Sequence, residues 1–187
     1  QFVKALEFED VQSDIADFRQ YFDKQPDHNL RLTVEVNDLP RWIVMMMEVD
    51  TLFVPPMEWN DAMPMMNWLS SGEQVDWVLL DEDTGRKSMD INWNWKVGDV
   101  VKIRIFNDPK SFHPMNHPFH IHGQRFLVTE MDGQANPNMA WKDTQIIPVG
   151  STVELRVDVT NPGKWMAHCH IAEHLHAGMM LSFTVDE

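Results

Sequence analysis

Two short stretches concentrate the residues that could do chemistry. His117-Pro118-Phe119-His120-Ile121-His122-Gly123 is followed, 46 residues beyond His122, by the run His168-Cys169-His170-Ile171-Ala172-Glu173-His174, which continues to Gly178-Met179-Met180. Between them they hold seven of the nine histidines and the only cysteine. A single cysteine rules out a disulfide within the chain, so Cys169 is a buried thiol, a nucleophile or a ligand. One thiolate, two imidazoles and a distant thioether make up the blue-copper set, a trigonal plane of two histidines and one cysteine with a weak axial methionine. Cys169, His174 and Met179 follow one another at intervals of five and five, which lets one strand-loop-strand wrap a single ion. The remaining imidazole must come from elsewhere, and His117 is the candidate. Zinc also accepts Cys and His, but structural zinc sites favour several thiolates or a Cys₂His₂ spacing, and neither pattern is present.

Strand geometry sorts the other histidines, because neighbouring side chains on an extended chain point to opposite faces. If His168-Cys169-His170 is extended, Cys169 faces one way and both flanking histidines face the other. His120 and His122 share a face, whereas His117 lies an odd number of positions from each. The pattern predicts two sites back to back, one built on His117, Cys169, His174 and Met179. The other is an all-imidazole group of His120, His122, His168 and His170, suited to further copper ions. An electron arriving at the Cys169 sulfur could leave through the backbone to either adjacent histidine.

The elements that must hold these residues read mostly as strands. Leu32, Val34 and Val36 alternate with Arg31, Thr33 and Glu35. Val101, Ile103 and Ile105 alternate with Lys102 and Arg104, just after the turn-like Val97-Gly98-Asp99. Val153, Leu155, Val157 and Val159 face one way, with Glu154, Arg156 and Asp158 facing the other. Asn161-Pro162-Gly163 forces a turn, and a last strand is expected near Met179–Val185. Short half-buried strands broken by Gly, Pro, Asn and Asp predict an all-β antiparallel sandwich. Ahead of it, residues 7–22 read as an amphipathic helix with Phe8, Val11, Ile15, Phe18 and Phe22 on one face, a stripe that must pack on this domain or on another chain. The expected division is therefore a linker or helical extension over residues 1–29 and one domain over 30–187. Met45–Leu69, rich in Met and Pro, reads as a long irregular connection. Its thioethers could bind Cu(I), but Met also fills awkward gaps.

Composition narrows the partners. Hydrophobic residues make up 43% of the 187, enough for a normal core. The net charge of −14, with 29 acids against 15 bases, argues against nucleic-acid binding. No apolar run reaches the roughly 20 residues that a membrane helix needs.

With these residues in place, the chain resembles the multicopper oxidases, the laccase and copper-oxidase family. HPFHIHG and HCHIAEHLHAGMM look like the family's third and fourth copper motifs, and Trp141-Lys142-Asp143-Thr144 and Pro162-Gly163-Lys164-Trp165 resemble bacterial members. The resemblance runs from about residue 30 to the end and implies a C-terminal Greek-key cupredoxin domain. It further implies copper as cofactor: a type 1 ion at His117, Cys169, His174 and Met179, a type 2 ion at His120, and a type 3 pair at His122, His168 and His170. Cys169, His174, His168 and His170 would carry the electron transfer. In the family, electrons from phenolic, aromatic or metal-ion substrates enter at the type 1 site and reduce O₂ to water at the trinuclear cluster. A thioether at Met179, in place of a non-coordinating Leu, implies a low to medium potential. Family members generally work outside the cytoplasm, which implies a periplasmic or extracellular setting.

Departures from the family pattern carry their own expectations. The complete cluster takes eight histidines, and two further His-x-His motifs supply the four not found here. His28, His113 and His176 do not form such a motif. The missing ligands are expected from an N-terminal cupredoxin domain, on a second polypeptide or on a portion cut away, to which the amphipathic helix could be the link. Some bacterial relatives carry a carboxylate directly after the last type 1 histidine. Here that position is Leu175, and Glu173 reads as a surface carboxylate. Alternatives to a laccase-like oxidase are a cuprous oxidase of copper resistance, a single-copper electron-transfer cupredoxin, which leaves four histidines without work, and a copper nitrite reductase.

Overall fold

In the computed structural model the described residues are 9–42, 45, 72–112 and 114–187. The expectations for Phe8, the Val11 side chain, His113 and the Met-rich connection beyond Met45 fall outside them.

Among the described residues, eleven strands form two sheets. The first sheet runs β2 (Val75–Asp81), β1 (His28–Val36), β4 (Val100–Asn107), β9 (Thr152–Asp158), β6 (Arg125–Met131), β7 (Gln134–Ala135). The second runs β3 (Asn92–Lys96), β11 (Met180–Asp186), β10 (Gly163–Cys169), β5 (His117–Ile121), β8 (Thr144–Ile147). The expected sandwich is present, with one difference. Two pairings are parallel rather than antiparallel, β1 with β4 and β3 with β11. Parallel neighbours cannot be joined by a hairpin, so other strands of the chain intervene between each such pair.

Alternation drives the core. Leu30, Leu32, Trp77, Leu79, Ile103, Ile105, Phe126, Val153, Leu155 and Val157 from the first sheet meet Trp93, Phe119, Ile121, Ala167, Leu181 and Phe183 from the second, all buried. Each large side chain contributes roughly 1.5–3 kcal/mol by leaving water. β2 was not among the expected strands, because Val78 interrupts the alternation of Val75, Trp77 and Leu79 with a further buried apolar residue.

The outer face of β9 departs from a half-buried strand: Glu154, Arg156 and Asp158 are buried as well. The cover comes from the N-terminal extension. Helix α1 (Glu9–Phe18) continues into one 3₁₀ turn, Arg19–Tyr21, rather than running on to residue 22. Ile15 is buried, the Phe18 ring meets Trp141 edge-on at 5.0 Å, and Asp14 pairs with Arg125 at 2.9 Å while accepting from Trp141 Nε1 at 3.0 Å. The described part of the apolar stripe thus packs on this domain. The Phe22 carbonyl then accepts from Arg156 Nη2 at 2.6 Å, and Asp27 takes the Lys102 amide at 2.7 Å. Among the described residues, no helix is long and apolar enough to cross a membrane.

Candidate metal centres

The second sheet positions both histidine clusters. β10 lies against β5 with Ala167 opposite Ile121, His168 opposite His120, and Cys169 opposite Phe119. That register sends the Cys169 side chain into the core and the flanking histidines to the other face of the sheet. The chain then turns through helix α2 (Ala172–His176), which carries His174, and returns into β11 just after Met179. The Cys169 amide donates to the Met179 carbonyl at 3.1 Å and the Met179 amide to the His174 carbonyl at 2.9 Å, closing the loop on itself.

On the core side, Cys169 Sγ lies 3.6 Å from His117 Nδ1 and 3.6 Å from His174 Nδ1, and the two nitrogens are 3.2 Å apart. A point roughly 2 Å from all three donors lies inside this triangle, close to the ~2.0 Å metal–imidazole and ~2.3 Å metal–thiolate bonds of tetrahedral sites. All three residues are buried, as is Met179. Burial pushes the Cys169 thiol up to about 12, so the metal-free chain keeps it neutral until a cation displaces its proton. The donor set fits a thiophilic ion with a preference for trigonal ligation, which copper has.

On the other face, donors of His120, His122 and His168 all lie within 4.8 Å of one another. The His120 Nδ1–H donates to the Asp143 carbonyl and Thr144 Oγ1, each at 2.9 Å, while Thr144 gives its own proton to Asp143 Oδ1. His168 Nδ1–H donates to the Cys169 carbonyl at 2.8 Å. These partners fix the tautomer and leave both Nε2 lone pairs directed inward, as metal-ligating imidazoles require. His122 Nε2 lies 2.8 Å from His168 Nε2. Burial lowers the pKa of His122 and His168, and neighbouring imidazoles add to the effect, so both are neutral near pH 7. His170 stands at the rim, exposed, its ring 5.6 Å from His120 and 5.7 Å from His168. Glu173 and His176 are exposed on α2, and His176 Nδ1 donates to the Ala172 carbonyl at 2.7 Å. His28 lies apart, stacked on Trp93 at 4.2 Å.

Sequence patterning missed Trp77. Its indole stacks on the His174 imidazole, with centroids 3.5 Å apart and planes 14° apart, and meets the His117 ring at 5.4 Å. Nothing in the local pattern of β2 distinguishes it from an ordinary core tryptophan. Trp77 also lines a groove of about 400 Å³ with Asp76, Met89, Asp90, Leu175 and His176.

Comparison with known proteins identifies the family of the chain. A multicopper oxidase family model matches residues 56–187, and the chain belongs to that family. It is 43% identical over 92 residues to a multicopper oxidase of Staphylococcus epidermidis, covering 48% of this chain and 21% of the relative. It is 29% identical over 136 residues to Laccase-5 of Arabidopsis thaliana, covering 67% and 23%. Among solved structures, a multicopper oxidase from Campylobacter jejuni described as a metallo-oxidase aligns with a TM-score of 0.56 at 26% identity, over 88% of this chain and 31% of that one. One from Pediococcus acidilactici aligns with a TM-score of 0.50 at 34% identity, over 57% and 24%. The sandwich is therefore a cupredoxin fold, and the chain spans about a fifth of the length of these curated relatives. The family's chemistry is copper-dependent oxidoreduction.

Proposed function

We propose that this chain is the type 1 copper domain of a laccase-like oxidase and carries half of the ligands for its oxygen-reducing cluster. The buried triangle of Cys169 Sγ, His117 Nδ1 and His174 Nδ1 is the observation that carries the proposal. In it, His117, Cys169, His174 and Met179 would hold the type 1 ion, His120 would serve the type 2 ion, and His122, His168 and His170 would serve the type 3 pair. When bound, copper supplies one-electron acceptance from a reducing substrate and reduction of O₂ to water. The protein's share is positional. Cys169 is joined through the backbone to His168 and His170, so the two centres are covalently connected through one tripeptide. Asp143, Thr144 and the Cys169 carbonyl orient the imidazoles that face the cluster. The ligands that complete the cluster come from a further cupredoxin domain, and the enzyme works in the periplasm or outside the cell, a reading supported by the family's usual setting.

Copper counting tests this. The chain alone should hold about one tightly bound, blue copper, and Cys169→Ser should abolish the colour while leaving a folded domain. Oxygen uptake by the isolated chain with a full complement of copper, or a blue Cys169→Ser variant, would overturn the proposal.

The groove beside Trp77 favours a second reading for the reductant. Its carboxylates Asp76 and Asp90 and the thioether of Met89 suit a low-valent metal ion better than a neutral phenol, and the Campylobacter relative is described as a metallo-oxidase. Rates at which Cu(I) or Fe(II), against a phenol, bleach the blue colour distinguish the two. Asp76→Asn with Asp90→Asn should slow bleaching by the metal ion alone.

A further inference from the structure

We infer that Trp77 is a positioning residue for His174, and that its indole face holds the imidazole in the orientation that completes the Cys169–His117–His174 triangle. The inference rests on the proposal that this triangle takes copper, and goes beyond it by naming a residue outside both histidine motifs.

His174 needs an external brace. It sits in α2, a five-residue helix with no side-chain cap, and so short a helix has little stability of its own. A His side chain has two rotatable bonds, and only one ring orientation brings Nδ1 to 3.2 Å from His117 Nδ1 and 3.6 Å from Cys169 Sγ. Trp77 covers the ring face to face at 3.5 Å, and the same indole abuts His117 at 70°. One residue thus touches both imidazoles of the triangle.

Trp77 is itself fixed. It is 1% exposed, and its backbone N–H donates to the Ala177 carbonyl at 2.9 Å. Gly178, at φ +104°, lets the turn pass so close that a Cβ there would lie 3.4 Å from the Trp77 carbonyl oxygen. These contacts staple β2, a strand of the first sheet, to the turn between His174 and Met179 that projects from the second. The brace therefore ties the metal-binding loop to the opposite layer of the sandwich. A stacked ring restricts imidazole tilt without competing for the nitrogen lone pair, unlike a hydrogen-bonding partner.

The test compares Trp77→Leu and Trp77→Phe in the full chain, with cupric-ion titration and the visible spectrum as readouts and urea unfolding of the metal-free chains as the stability control. Partners that orient a ligand typically change metal affinity by about 10–100-fold. Trp77→Leu should lose affinity in that range and shift or broaden the thiolate-to-copper absorption. Trp77→Phe, which keeps an aromatic face, should recover most of both. A core variant at Ile103, equally buried, should be chosen to match the stability loss of Trp77→Leu, and it should leave affinity and spectrum unchanged. Unchanged affinity and spectrum in Trp77→Leu, or equal losses in the Ile103 variant, would overturn the inference while leaving the copper assignment intact. A wild-type chain that takes up no cupric ion would overturn both.

Discussion

Cys169 and His28 show how burial sets the charge of single side chains here. The Cys169 thiol is held neutral by desolvation, so uptake of a cation and loss of its proton become one event. His28 is affected in the opposite sense. Burial lowers its pKa below the ordinary 6.5, against the pull of Asp81, Asp27 and Asp83, and its Nε2 accepts from Trp95 Nε1 at 3.1 Å. The folded chain therefore resists protonation that the unfolded chain accepts. Stability from this source is complete above about pH 6.5 and falls as the pH drops below it, until the folded imidazole also charges. His28→Gln should flatten the fall in unfolding free energy between about pH 7 and 5. Urea unfolding at a series of pH values measures the difference, and parallel slopes for both proteins would refute it. The facing of these side chains was legible beforehand, because a strand's period of two assigns His168, Cys169 and His170 to faces without any tertiary knowledge. Trp77 was not, because its part depends on a loop far along the chain coming to rest against β2.

Strands and turns place demands that the motif residues conceal. Gly123 closes the first histidine stretch and turns the chain from β5 toward β6 with φ +70°. A Cβ there would stand 2.4 Å from the Trp165 ring, whose Nε1 is held by the Asn161 carbonyl at 3.0 Å. Gly123→Ala therefore meets two penalties, about 1–2 kcal/mol for a left-handed backbone and about 1–3 kcal/mol for overpacking. A loss of about 2–5 kcal/mol should appear in denaturant unfolding of the metal-free chain, and copper affinity should fall as β5 shifts His120. Little change in stability would mean that Trp165 moves aside freely. The turn itself could be read from the glycine, but the demand for a missing Cβ comes from Trp165, which only the pairing of β5 with β10 brings alongside.

Across the whole molecule, the N-terminal extension turns the solvent side of the first sheet into a second, charged interior. Glu154 lies between Lys102 and Arg104, with the Lys102 ammonium in direct contact. Burial pushes the Glu154 pKa up, but the two cations outweigh it and hold the carboxyl below its ordinary 4.5. Arg156, fully buried under Phe22 and Lys24, bonds through Nη2 alone, and its Nε and Nη1 have no hydrogen-bond partner among the described residues. Alternation in β9 marked these residues as facing away from the core, and it could not reveal that residues 19–27 fold back over them. The two charges should respond differently to removal. Glu154→Ala leaves the Lys102 ammonium buried without its counter-charge, which typically costs about 3–5 kcal/mol. Arg156→Met removes one strong bond to the Phe22 carbonyl, but it also removes two buried nitrogens without hydrogen-bond partners, Nε and Nη1, each of which costs about 1–3 kcal/mol to bury. Its net effect should lie within about 1 kcal/mol of zero. Urea unfolding at pH 7 separates the cases. A loss for Arg156→Met as large as that for Glu154→Ala would mean that the guanidinium anchors the extension. In that event α1 should come away from Trp141, which proteolysis near residues 19–24 would detect.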